Sequence, residues 1–200
     1  MEKLAELVGA ILGDGNIFIK ENSHYQLRIA CHAIDDFDYA NYLYSLIEET
    51  LNTKPHLNQR GNAIYVSVSR RAAIEFLLSK GLKSGNKILN NQGVPEWVFS
   101  SKELMKACLR GIFDTDCCVY PKTKKHKTPS IWLKSAIPQL REDISFIFSE
   151  LNYSPQKWAR TSNEGVLQTC LGKSQEVMRY FNEVKFKNKK HIQRFQAMLL

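Results

Sequence analysis

Two acids carry the chemistry this chain can be expected to do. LVGAILGDG at residues 7–15 and LRGIFDTDC at residues 109–117 share one pattern, a short apolar helix ending in an acid, and the acids, Asp14 and Asp116, stand 102 positions apart in a chain of 200. A carboxylate at a helix C-terminus faces the negative end of the macrodipole, which disfavours an anion by roughly 0.3–1 kcal/mol. A bound divalent cation reverses that sign, so twin acids half a chain apart predict a paired, metal-binding active site. Gly9 and Gly13 share one helical face, as do Gly111 and Thr115, so two such helices can approach closely and bring the acids together. Gly15 suits the left-handed residue that ends a helix, whereas Cys117 in the matching place calls for another geometry or for strain.

The elements that position these acids repeat along the chain. Ile17–Lys20 and Tyr25–Ile29 alternate apolar and polar residues across a polar turn, which predicts a β-hairpin. Phe37, Tyr39, Ala40, Leu43, Leu46, Ile47 and Leu51 then recur at helical spacing. His56 to Arg70 alternates around Gly61 and Asn62 as a second hairpin, and helical spacing resumes over 71–80. Ser100 and Glu103 predict a capping box opening the second motif helix. The second half repeats the order, with helices over about 140–151 and 174–184, and LNTKP at 51–55 returns as LNYSP at 151–155. The fold class read from this is α+β, two pseudo-symmetric αββαββα halves. They are an N-terminal half over 1–85, a Gly-, Asn- and Pro-rich linker over 86–98, and a C-terminal half over 99–200.

Twenty-eight Lys and Arg against 20 acids leave a net charge of +8, which favours a polyanionic partner, nucleic acid ahead of an anionic membrane. No apolar run approaches the ~20 residues that span a bilayer, and the N-terminus lacks a secretory cleavage site. An intracellular, cytoplasmic protein is expected, with an organelle as the alternative compartment. Cys31, Cys108, Cys117, Cys118 and Cys170 are odd in number and form no CxxC pair, which predicts reduced packing thiols. The chain opens directly at the first motif without flanking splicing segments, so a freestanding protein is expected rather than an intein.

With these residues the chain resembles the LAGLIDADG homing endonucleases, in the monomeric, intron-encoded form with two motif copies, over nearly its whole length. The resemblance implies motif helices packed at the centre and two four-stranded antiparallel sheets forming a saddle over the major groove of double-stranded DNA. It implies a monomer with an internal pseudo-dimer. The metal ligands it implies are the carboxylates of Asp14 and Asp116 with the carbonyls of Gly13 and Thr115, and the ion is Mg²⁺. Lys87 and Lys190 are the basic residues it places late in each half, with Lys189 a close competitor. Their other reading is an ordinary solvated or phosphate-contacting lysine. Solvent-orienting polar residues fall at Asp35 and Gln139.

DNA contacts are expected from alternate strand positions. In the first half these are Lys20, Asn22, Gln26, Arg28, Asn58, Arg60, Tyr65, Ser67 and Ser69. In the second they are Tyr120, Lys122, Lys124, Lys125, Lys127, Lys134, Lys157, Arg160, Asn163 and Gln168. The run PKTKKHKTP reads as a basic loop touching phosphates rather than bases. Trp132 and Trp158 read equally as base contacts or packing residues. The activity implied is metal-dependent hydrolysis of both DNA strands at a specific site, leaving short 3′ overhangs and promoting intron mobility. The alternatives are an intron RNA maturase, with host intron RNA as a partner, and a non-cleaving DNA-binding regulator.

Overall fold

The computed structural model describes residues 1–21, 23–122 and 128–199, so the expected contacts Asn22, Lys124, Lys125 and Lys127 lie outside the described residues. The first motif folds as helix α1 (Glu2–Leu12) and turns directly into the hairpin of β1 (Gly15–Lys20) and β2 (His24–His32). Helix α2 (Phe37–Leu51), the hairpin of β3 (His56–Arg60) and β4 (Ala63–Val68), and helix α3 (Arg71–Ser79) complete the first half. After a 3₁₀ turn (Glu96–Ser100), the second half runs α4 (Lys102–Asp116), β5 (Cys117–Pro121), β6 (Pro129–Ser135), α5 (Pro138–Glu150), β7 (Ala159–Arg160), β8 (Leu167–Leu171), α6 (Ser174–Glu183) and α7 (Lys189–Leu199). Each half holds one antiparallel four-stranded sheet, ordered β1-β2-β4-β3 and β5-β6-β8-β7.

Alternation decides which face of each sheet meets the core. Tyr25, Leu27, Ile29 and Cys31 of β2 and Ile64, Val66 and Val68 of β4 are buried, and the residues between them are open or half-buried. In the tight β3–β4 turn Gly61 takes a φ of +56°, a conformation glycine adopts without a Cβ penalty. The repeated Leu-Asn marks the end of α2 and α5, where Asn52 and Asn152 take φ values of 46° and 57°. Asn tolerates that left-handed geometry better than most side chains.

The seam is the contact of α1 with α4. A Cβ on Gly9 would lie 2.1 Å from the Cys108 carbonyl oxygen, and one on Gly111 would lie 2.1 Å from that of Glu6. The two backbones therefore touch where the small residues face each other, and Thr115 Oγ1 fills the space beside Gly13. A buried ion pair crosses the same seam: Arg110 bonds the Glu6 carboxylate and donates to the Val184 carbonyl at 3.0 Å, while the Tyr42 hydroxyl donates to Glu6 at 2.5 Å. Arg110→Ala would leave the Glu6 carboxylate buried without its cation. The expected cost is about 3–5 kcal/mol in urea unfolding, and a loss under about 0.5 kcal/mol would show that solvent reaches the pair.

Two sequence expectations are corrected here, and Cys117 takes the other geometry expected of it. The cap of α4 is Ser101, whose hydroxyl accepts from the Leu104 N–H at 3.2 Å, one residue later than the expected capping box; Ser100 instead bonds the Trp97 carbonyl. Gly15 is not left-handed. It is the first residue of β1, and it lacks a Cβ because one would come within 2.4 Å of Ile11 Cα. Cys117 has φ −88° and ψ 163°, ordinary strand geometry without strain. The second half also gains α7, whose apolar residues Ile192, Phe195 and Met198 recur at helical spacing inside a basic run that obscured them.

Candidate active site

Both acids end at the seam. Asp116 is the last residue of α4 and half-buried; Asp14 lies two residues past α1 and reaches the open face. A Cβ on Gly13 would sit 3.4 Å from Asp116 Cγ, so the Asp116 carboxyl lies against the backbone next to Asp14. Between them comes Lys87, from the segment joining the halves. Its ammonium donates to the carbonyls of Ile11 at 3.3 Å and Leu12 at 2.8 Å, and also to that of Gly13. These are orphan carbonyls at the negative end of α1, where a cation belongs. The segment is pinned by Gly85 N–H to the Ile17 carbonyl at 2.8 Å and by Asn16 to the Gly85 carbonyl at 3.3 Å.

Lack of solvent pushes the Asp116 carboxyl up to about 7, with the Asp14 charge adding to the rise and Lys87 opposing it. Asp14 is also raised by desolvation, against the pull of Lys87. Burial lowers Lys87, and the two acids partly restore it. Two carboxylates that resist ionising side by side are poised to accept a second cation.

These donors suit a hard divalent ion. Among the described residues no group of three or more His, Cys, Asp and Glu side chains could cage a metal. Two carboxylates with backbone carbonyls leave positions for water and phosphate oxygens, as Mg²⁺ prefers. The Lys87 ammonium already shows that the carbonyls of this helix end favour positive charge. Asp116→Asn should therefore stabilise the metal-free protein in a pH-dependent way. The carboxyl binds its proton more tightly folded than unfolded between pH 3.8 and about 7, so its contribution to stability falls as pH rises through that window. His191, lowered to about 4 chiefly by burial, works in the opposite sense, so the measurement is the difference between variant and wild type in EDTA. The advantage of Asn should be small at pH 4 and largest above pH 7; a constant difference would contradict the shift.

A second cluster flanks Asp14. Lys190, at the start of α7, pairs with Asp36 at 2.6 Å, and Asp36 also accepts from Asn188 at 2.8 Å and the His32 N–H at 3.0 Å. Burial works against the Asp36 charge, but these bonds outweigh it and hold the carboxyl below its usual range. Lys189, by contrast, meets Asp38 at 2.9 Å in the open. Asp114 is fully buried and accepts from the backbone N–H groups of Lys187 and Asn188 at 3.0–3.1 Å, which fixes the segment leading to Lys190.

Asp36 and Asp114 were missed in the sequence. Asp36 stands one position beyond the expected Asp35, and its signal was its place before the first turn of α2. Asp35 instead faces His32 at 3.5 Å, and Gln139 bonds Asp143 at 3.0 Å beside the joining segment, so neither reaches the acids through a hydrogen bond. Cys117 packs about 4 Å from the His191 ring, and burial holds its thiol far above the range of a nucleophile.

The open sheet faces collect most of the expected contacts. Lys20, Gln26, Arg28, Tyr65, Ser67, Asn58 and Arg60 share one side of the first sheet by register, with Asn16, His24 and His56, which sequence reading passed over. Ser69 follows β4 and is exposed. Tyr120, Lys134 and Gln168 share the open side of the second sheet, and Lys122 is exposed just past β5. Lys157 is exposed before β7, and Asn163 lies in the β7–β8 loop. Arg160 departs from expectation: its register partner is Leu167, which pairs with buried Ser135, so it belongs to the helix side. Trp158 also turns that way, donating to Ser145 of α5 at 2.9 Å, whereas Trp132 stands on the open face.

Two acid-tipped helices thus meet at one seam, and each feeds a four-stranded antiparallel sheet. Residues 103–199 match the model of the LAGLIDADG-like domain, and the whole chain has a fold similar to that of solved LAGLIDADG homing endonucleases. The homing endonuclease I-DmoI in complex with DNA and Mn superposes with a TM-score of 0.66 at 15% identity, over 92% of this chain and 96% of that one. The LAGLIDADG meganuclease I-AabMI bound to uncleaved DNA gives 0.62 at 13% identity, over 97% and 88%. In sequence, the replication factor C small subunit of Methanocaldococcus jannaschii is 24% identical over 153 residues, 73% of this chain; the chain spans 8% of that longer protein. Among the described residues no helix is long and apolar enough to cross a membrane.

Proposed function

We propose that this protein is a site-specific double-strand DNA endonuclease that acts as a monomer with Mg²⁺. The observation that carries this reading is the meeting of Asp14 and Asp116 at the seam of two halves whose open sheet faces each carry basic residues. Asp14 and Asp116, with the carbonyls of Gly13 and Thr115, would hold the ion, which when bound activates water and offsets charge on the phosphate and the leaving 3′ oxygen.

The protein's own residues divide the remaining work. Lys87 would bring positive charge to both acids and Lys190 to Asp14, where a phosphate would dock. Asp36, Asn188 and Asp114 hold the Lys190 arm in place. One carboxylate for each half suits one cut for each strand, and a stagger across the minor groove would leave short 3′ ends. Such a break, repaired from an intron-bearing copy, would promote intron mobility.

Incubation with a library of long duplexes and Mg²⁺ should yield one preferred cut with 3′ overhangs, and no cutting under any divalent ion would overturn the reading. Affinity should also fall with salt with a log–log slope of about −0.9 per phosphate neutralised. A flat response would remove the basic faces from the interface.

A further inference from the structure

The two halves are alike in backbone and unlike in the row of side chains next to the acids. Asn16 and Cys118 each stand two residues beyond their motif acid and open the equivalent row. In the first sheet that row runs by register Asn16, Arg28, Ser67, His56, all polar. In the second it runs Cys118, Trp132, Cys170 over the first three strands, none of them charged or an amide, with the exposed Lys157 beyond them just before β7.

Arg28 is held ready for use. It donates to Gln26 at 2.9 Å and its guanidinium lies 5.1 Å from the centre of the Tyr65 ring, which leaves further donors on an exposed residue. The Trp132 indole has one donor, and it is spent within the protein, on Ser130 Oγ at 2.9 Å; Ser130 in turn donates to the Tyr120 carbonyl at 2.9 Å. What Trp132 offers is therefore an apolar surface. It lines a cavity of about 290 Å³ with Asp116, Cys118, Tyr120, Lys134 and Gln168, directly beside the second acid.

We infer that these rows read opposite chemistries at matched distances from the cut: Arg28 takes the O6 and N7 edge of a guanine, and the Trp132 row takes the methyl group of a thymine. A fixed arginine fork matches guanine in the major groove, and an apolar side chain without a free donor can distinguish bases there only through the thymine methyl. The inference rests on the nuclease reading and adds to it the base that each row reads.

The test is selection of cut sites from a randomised duplex library by the wild-type chain, Arg28→Ala and Trp132→Ala, each checked for folding by thermal melting. Arg28→Ala should relax a guanine preference about tenfold or more at one position. Trp132→Ala should relax a thymine preference at the position equally far on the other side of the cut. Replacing that thymine by uracil removes only the methyl group and should weaken wild-type binding about fourfold while leaving Trp132→Ala unaffected. Should Trp132→Ala fail to fold, the uracil substitution on the wild-type protein carries the same comparison. Both effects on one side of the cut, relaxed bases other than guanine and thymine, or a neutral uracil at every position would overturn the inference while the nuclease reading stands. A library from which nothing is bound or cut would remove both.

Discussion

Asp14→Asn and Asp116→Asn should each lower double-strand cleavage at least about 10³-fold, and any product that remains should be a single-strand nick. Asn keeps the size of the side chain and one oxygen but loses the charge that a cation needs at the α1–α4 seam. The loss is thus chemical rather than structural. Supercoiled plasmid carrying the target distinguishes the outcomes, because nicked circles and linear product separate on a gel. Linear product from both variants at the wild-type rate would sink the assignment of these acids. The Asp116 variant should at the same time be the more stable protein above pH 7 without metal, since it removes a carboxyl whose folded form resists ionisation up to about 7.

Gly111→Val should abolish folding, and Gly9→Val should do the same from the other side of the seam. A Cβ at either position lands 2.1 Å from a backbone carbonyl oxygen of the opposing helix, a contact that no rotamer change can relieve. The helices would have to separate by more than an ångström, opening the centre of a core that includes Leu7, Ala10, Leu109 and Ile112. The expected cost exceeds about 4 kcal/mol, a large share of the stability of a domain this size. Far-UV circular dichroism and urea unfolding would read it. Gly61→Val is the control: it meets nothing within 4 Å, and its cost comes only from its positive φ. Comparable losses at Gly61 and Gly111 would mean that close helix contact is not what the seam glycines provide.

Much of the fold was legible because short-range rules decide it. Period-two alternation placed both first-half hairpins within a few residues, and apolar spacing placed α2 and α3. The Leu-Asn repeat at 51–52 and 151–152 marked two helix ends that share one left-handed geometry. Small residues at Gly9, Gly13 and Gly111 announced the seam. What misled was local chemistry with more than one use. Gly15 has the type of a helix-ending residue but serves as a gap beside Ile11, and Ser100 offers a capping hydroxyl that its neighbour Ser101 uses instead.

The chain by itself determined the two halves, the paired acids and the polar strand faces, since each follows from residue type at a fixed local period. Only the tertiary structure decided which distant groups join them. Lys87 crosses to the carbonyl end of α1, 74–76 positions away, and Asn188 reaches Asp36 across 152. Lys190 rather than Lys189 meets Asp36, and Arg160 turns to the helix side while Gln168 keeps the open one. These outcomes depend on helix phase and strand register, where a slip of one residue redirects a side chain to another face, and that phase is fixed by the packing of the halves against each other.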